Sequence, residues 1–97
     1  MARTPEGAVK ANVKKILDEL GIYHFSPFMA GMGRAGVPDI IACHEGRFLG
    51  IECKAGKGKT TALQDRELNA IAAAGGYTFV ARETNLEELR DELECLI

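Results

Sequence analysis

The chain has 97 residues, 46% of them hydrophobic, the size and composition of one small globular unit spanning 1–97. No apolar run approaches the roughly 20 residues that cross a bilayer. Met1-Ala2-Arg3-Thr4-Pro5 leads into polar helical sequence without a signal-peptide core, so a soluble protein with no membrane partner is expected, in the cytoplasm (of a host cell, if a phage encodes it). The net charge of −2 argues at first against a nucleic-acid partner, but the charges are unevenly spread. Six of the fourteen acids lie in residues 82–97 against only Arg82 and Arg90, which leaves ten basic and eight acidic residues in a mildly basic body.

Thr4-Pro5 reads as an N-cap followed by proline at the first helical position, opening a helix to about Leu20 that Gly21 ends. Val9, Val13, Ile16, Leu17 and Leu20 form its apolar stripe. Ile22 to Phe28 reads as a strand, and a glycine-rich loop follows from Met29 to Gly36. Ile40 to Cys43 and Arg47 to Ile51, joined by His44-Glu45-Gly46, read as strand, tight turn, strand. A second loop, Ala55 to Lys59, leads into a helix over Thr61 to Ala74 that Gly75-Gly76 stops. Tyr77 to Ala81 is a short strand. A helix capped by Thr84 or Asn85 closes the chain, its stripe made by Leu86, Leu89, Leu93 and Leu96 or Ile97 and its acids on the solvated face. The order is αβββαβα. Because the hairpin strands are apolar on both faces apart from a few charges, the fold class expected is α/β, a mixed central sheet with helices on both faces. Cys43, Cys53 and Cys95 are odd in number and lack Cys-x-x-Cys spacing, so buried free thiols are expected rather than disulfides or a zinc site.

The charges in the hairpin are the informative ones. A turn centred on Glu45-Gly46 pairs residues whose numbers sum to 91, which sets Asp39 opposite Glu52, with Cβ atoms roughly 4.5–5.5 Å apart. Lys54, two residues on, shares their face. A one-residue slip in register would send Asp39 to the other face. Ionised carboxylates in an apolar interior are costly unless paired or metal-bound. A hard divalent cation turns their mutual repulsion into a site, and magnesium, which keeps several of its waters, needs only a few such ligands. Lys54 is placed to stabilise charge developing on a phosphate, or to orient or deprotonate an attacking water. Glu6, seven residues before Val13, continues the inward stripe of the first helix, and Gln64 falls inward with Leu68 and Ile71. The plainer readings are that Glu6 complements the positive helix N-terminus and that Gln64 is an ordinary first-turn polar residue.

Glu6, Gly36-Val-Pro-Asp39, Glu52-Cys-Lys54 and Gln64, in this order, resemble the PD-(D/E)xK nuclease superfamily, and within it are most similar to the virus-type replication-repair nuclease (VRR-NUC) domain. The resemblance covers nearly the whole chain. It implies a restriction-endonuclease-like αβββαβα core and a DNA endonuclease dependent on Mg²⁺ or Mn²⁺. Asp39 and Glu52 would be metal ligands, with the Cys53 backbone carbonyl and Glu6 (directly or through water) as further ones. Lys54 would be catalytic and Gln64 a positioning residue beside it. It also implies a homodimer acting on branched DNA, of Holliday junction or flap type. Arg34, Lys57 and Lys59, on loops flanking the carboxylates, are expected to contact DNA phosphates, whereas Lys10, Lys14 and Lys15 read as ordinary solvated charges.

The alternative is a catalytically silent DNA-binding or assembly module, which would gain nothing from opposed buried carboxylates; a third reading is a hydrolase of RNA or a small molecule using the same metal. Gly31-Met-Gly-Arg-Ala-Gly36 fits G-x-G-x-x-G, but Val-Pro-Asp and a strand follow where a dinucleotide fold needs a helix. Gly56-Lys-Gly-Lys-Thr60 lacks the first glycine of a phosphate-binding loop, because Ile51 stands there.

Overall fold

The hairpin sets the frame of the molecule. Strands β2 (Ile40–His44) and β3 (Arg47–Cys53) are joined by a two-residue loop, and Glu45 and Gly46 both adopt positive φ, 52° and 79°. Two left-handed residues are what the right-handed twist of a tight hairpin demands, and glycine takes the second without strain. Ile40 pairs with Ile51 and His44 with Arg47, so the register is the one expected. Around the hairpin, the computed structural model describes residues 4–28 and 33–96. The residues 29–32 of the expected glycine-rich loop lie outside that range, as does Ile97.

The elements run α1 (Pro5–Glu19), β1 (Tyr23–Phe25), β2, β3, α2 (Ala62–Ala73), β4 (Tyr77–Ala81) and α3 (Leu86–Cys95). The sheet order is β1-β2-β3-β4, with β4 parallel to β3 and the other pairs antiparallel. This is the αβββαβα arrangement and the mixed sheet expected. Strand β1 is shorter than the Ile22–Phe28 reading, since pairing with β2 stops at Phe25 and Ile41.

Alternation along β3 sorts the layers. Leu49, Ile51 and Cys53 point to one face, where with Ile40, Ala42 and Ala81 they meet Val9, Val13, Ile16 and Leu17 of α1 and Leu89 and Leu93 of α3. Phe48, Gly50 and Glu52 point to the other face. There α2 packs so closely on Gly50 that a Cβ would lie 2.7 Å from Ile71 Cδ1 and 3.2 Å from Pro38 Cγ. Helices thus lie on both faces, but α2 covers only part of its side. Phe48 is 47% exposed, Tyr23 69% and Phe25 47%. The expected burial of both faces therefore holds for β3 from Leu49 to Cys53 but fails at Phe48 and towards β1, because one 12-residue helix is too narrow to roof four strands.

Of the three free cysteines only Cys53 is buried. Cys43 follows the sequence into a strand but lands on the part of the face that α2 leaves open, and Cys95 is exposed at the end of α3.

Candidate metal and catalytic centre

The hairpin register brings the carboxylates together at the end of the sheet where β2 begins and β3 finishes. Asp39 and Glu52 are tied to each other's strand: the Asp39 N–H donates to Glu52 Oε1 (3.3 Å) and the Cys53 N–H donates to Asp39 Oδ2 (2.8 Å). The proline before Asp39 packs against Gly50, fixing the backbone that presents the carboxylate. Lys54 follows on the same side, its Nζ 3.6 Å from Glu52 Oε2, and is itself held by its N–H to Ala81 O (2.9 Å).

Glu52 is 2% exposed. Burial first, and then the neighbouring Asp39 charge, push its carboxyl up to about 7, with Lys54 opposing. The Cys53 thiol behind it is pushed up to about 12 by burial and then by Asp39 and Glu52, so it is inert as a nucleophile. Two carboxylates, one of them stripped of water and disfavoured as an anion, form a donor set that fits a hard divalent cation. Among the described residues no group of three or more His, Cys, Asp or Glu side chains gathers closely enough to hold an ion, and Asp39 and Glu52 are the carboxylates that the hairpin brings together.

Glu6 does not continue the buried stripe of α1. It is an exposed second-position residue after the Thr4 cap, and the buried stripe begins only at Val9. It remains near enough for its charge to act on Cys53. Lys10, one turn further on, reaches the centre instead: its Nζ lies 3.9 Å from Asp39 Oδ1. Reading Lys10 as a solvated charge is therefore corrected; its spacing, four after Glu6 and three before buried Val13, was the available signal.

Gln64 is brought beside the Pro-Asp loop, but its carboxamide has a structural task. Its Oε1 accepts from Thr61 N–H (2.9 Å) while Thr61 Oγ1 accepts from Gln64 N–H (3.2 Å), a reciprocal cap on α2. The Thr61-x-x-Gln64 spacing is itself the sequence signature of that cap. Gly36, at φ 82°, carries the loop against this cap, and a Cβ there would lie 2.5 Å from Leu63 O and 3.0 Å from Gln64 N. Gly36→Ala combines a backbone clash with a left-handed conformation, so a loss of roughly 2–4 kcal/mol is expected in urea unfolding. A loss under about 1 kcal/mol would mean that this approach is not rigid.

Arg34 donates from Nε to both oxygens of Glu67 (2.8 and 2.9 Å), a residue 7% exposed. It thereby pins the same loop to α2 through Nε, while the side chain stays 69% exposed. Lys57 and Lys59 stand exposed on the Ala55–Thr60 loop. That loop is anchored by Gly56 N–H donating to Glu83 Oε1 (2.7 Å) and by Arg82 Nη1 donating to Gly56 O (3.1 Å). No sequence motif marked Arg82 or Glu83, since their partner is a backbone group 26 or 27 residues away.

A mixed four-stranded sheet with helices on both faces and an Asp-Glu-x-Lys cluster at its end defines a PD-(D/E)xK nuclease. A family model described as archaeal Holliday junction resolvase (hjc) matches residues 7–90, and the chain belongs to that family. It is accordingly a divalent-metal-dependent endonuclease specific for branched DNA. No curated protein matches it.

Proposed function

We propose that the chain, as one nuclease domain over 1–97, hydrolyses phosphodiester bonds of four-way or flap DNA with water as the nucleophile and Mg²⁺ as the resident ion, Mn²⁺ substituting. The observation that carries this is the hydrogen-bonded pairing of Asp39 with Glu52 and the Lys54 ammonium beside it. Asp39, Glu52 and the Cys53 carbonyl would hold the metal, with Glu6 contributing through water. When bound, the ion supplies Lewis-acid stabilisation of the phosphate and an acidified water.

The protein's own groups do the rest. Lys54 is held by Glu52 where its charge meets the scissile phosphate, and Lys10 offers a second cation from the α1 side. Gln64 positions the loop that carries Asp39 by closing the α2 cap against Gly36. Lys57 and Lys59 offer phosphate contacts, and Arg34 adds to them from its exposed side chain while anchoring to Glu67. The Gly-Val-Pro-Asp, Glu-Cys-Lys and Gln64 set supports the closer kinship with VRR-NUC domains. A Holliday junction has two strands to cut and each chain offers one such centre among the described residues, which supports a homodimer. An intracellular location fits a DNA substrate.

The test is a cleavage panel of four-way, flap, nicked, duplex and single-stranded DNA across metals. Branched DNA is expected to be cut with Mg²⁺ or Mn²⁺ and not with EDTA. Lys54→Ala is expected to lose at least roughly a hundredfold in rate with its circular dichroism unchanged; undiminished cutting would remove the lysine from the mechanism.

A further inference from the structure

The two carboxylates of the centre are held in the same way. Asp39 gives Oδ2 to the Cys53 N–H, and Glu52 gives Oε1 to the Asp39 N–H. That leaves Asp39 Oδ1 and Glu52 Oε2, and an ammonium stands at each: Lys10 Nζ at 3.9 Å and Lys54 Nζ at 3.6 Å. Lys54 follows directly from the end of β3, whereas Lys10 is brought in by α1. The Lys10 side chain is only 36% exposed, so its stem lies against the protein and its charged end is kept near the pair. Its charge is also felt by the Cys53 thiol behind the carboxylates.

Centres that hydrolyse phosphodiesters with two ions set the cations roughly 3.5–4 Å apart, one for the attacking and one for the leaving oxygen, and need anionic ligands for both. Among the described residues only two carboxylates meet directly here, and Glu6 stands exposed one turn before Lys10. One divalent ion balances the two carboxylates. A second would find little that is anionic except the DNA phosphate, and would have to approach Asp39 against the charge of Lys10. The ammonium brings positive charge to that position and requires no ligand set of its own.

We propose that Lys10 takes the place of a second metal ion, so that the centre binds one divalent ion per chain and Lys10 supplies the other positive charge at the scissile phosphate. The proposal deepens the metal-dependent nuclease reading above by fixing the number of ions and the task of Lys10. Ammonium and ion compete for Asp39 Oδ1, so Lys10 weakens the hold on the ion while aiding the reaction. Its removal therefore acts in opposite directions on metal affinity and on rate, which a loss of packing does not do.

Mn²⁺ uptake by the full chain, followed by calorimetry and by the spin resonance of the free ion, tests this. It is run alone and with a nuclease-resistant four-way junction, counted above the junction's own uptake. Wild type should take one Mn²⁺ per chain in both. Lys10→Ala should bind Mn²⁺ about tenfold more tightly with unchanged circular dichroism, and Lys10→Glu should admit a second ion. Lys57→Ala, which removes a charge from an exposed loop, should leave the affinity as it is. At saturating Mn²⁺, Lys10→Ala should cut branched DNA at least about tenfold more slowly, and Lys10→Arg should keep most of the rate. Two ions per wild-type chain, an affinity that Lys10→Ala does not raise, or a rate that it does not lower overturns the proposal. If such a wild type still cuts branched DNA, the nuclease reading stands without it. One ion per chain, tightened by Lys10→Ala in a protein that cuts no DNA, supports the place of Lys10 and sinks the nuclease reading instead.

Discussion

Asp39→Asn is expected to remove cleavage of branched DNA, by roughly 10²–10³-fold or more, while leaving the metal-free protein within about 1 kcal/mol of wild-type stability. The two halves of this result have different causes. Asparagine keeps a side-chain oxygen where Oδ2 now accepts the Cys53 N–H, so that buried donor is not orphaned. It also removes a negative charge that works against Glu52. The lost Lys10 contact, at 3.9 Å and a third exposed, offsets little of that relief. What the amide cannot replace is an anionic oxygen ligand for a hard cation. Asp39→Ala is the poorer probe, because an unpaired Cys53 N–H costs roughly 1–3 kcal/mol and confounds activity with folding. Residual cutting above a tenth of wild type, at unchanged metal affinity by calorimetry, would take Asp39 out of the metal site.

The second large effect is a metal-dependent pH profile of stability centred on Glu52. Its carboxyl is raised from an ordinary 4.5 to about 7 in the fold, so between these values the folded chain holds a proton that the unfolded chain releases. The contribution of this group is therefore full below about pH 4.5 and is lost as the pH rises through 7. Its upper bound is about 3 kcal/mol. In EDTA, wild type minus Glu52→Gln should fall in urea stability from pH 5 to pH 8, since the glutamine does not titrate. Millimolar Mg²⁺ should restore the wild type at pH 8 and do little at pH 5, where the proton competes with the metal. A difference flat in pH, or equal rescue by Mg²⁺ at both, would show that Glu52 is neither strained by burial nor a ligand.

Much of this centre is legible in the chain because hairpin geometry is local. Glu45-Gly46 fixes the turn, the turn fixes the sum of paired numbers, and the sum sets Asp39 against Glu52 with no knowledge of the rest of the fold. Lys54 follows from the two-residue period of a strand. Glu6 is where periodicity misled. Helical spacing gives a direction around an axis, but not where along it burial begins. At Glu6 the buried stripe has not begun, whereas Gln64 is half-buried beside Gly36 and spends its carboxamide on the near-range cap of α2.

The amino-acid order by itself determined the element sequence, the tight turn and the opposed carboxylates, all set by contacts within about fifteen residues. Only the tertiary structure decided that Lys10 of α1 reaches Asp39, that Arg34 is anchored on Glu67 33 residues away, and that α2 leaves Tyr23, Phe25, Cys43 and Phe48 open. Those outcomes depend on where a helix crosses the sheet and how wide it is. Such packing is settled by the complementarity of whole faces, which no local pattern of residues encodes.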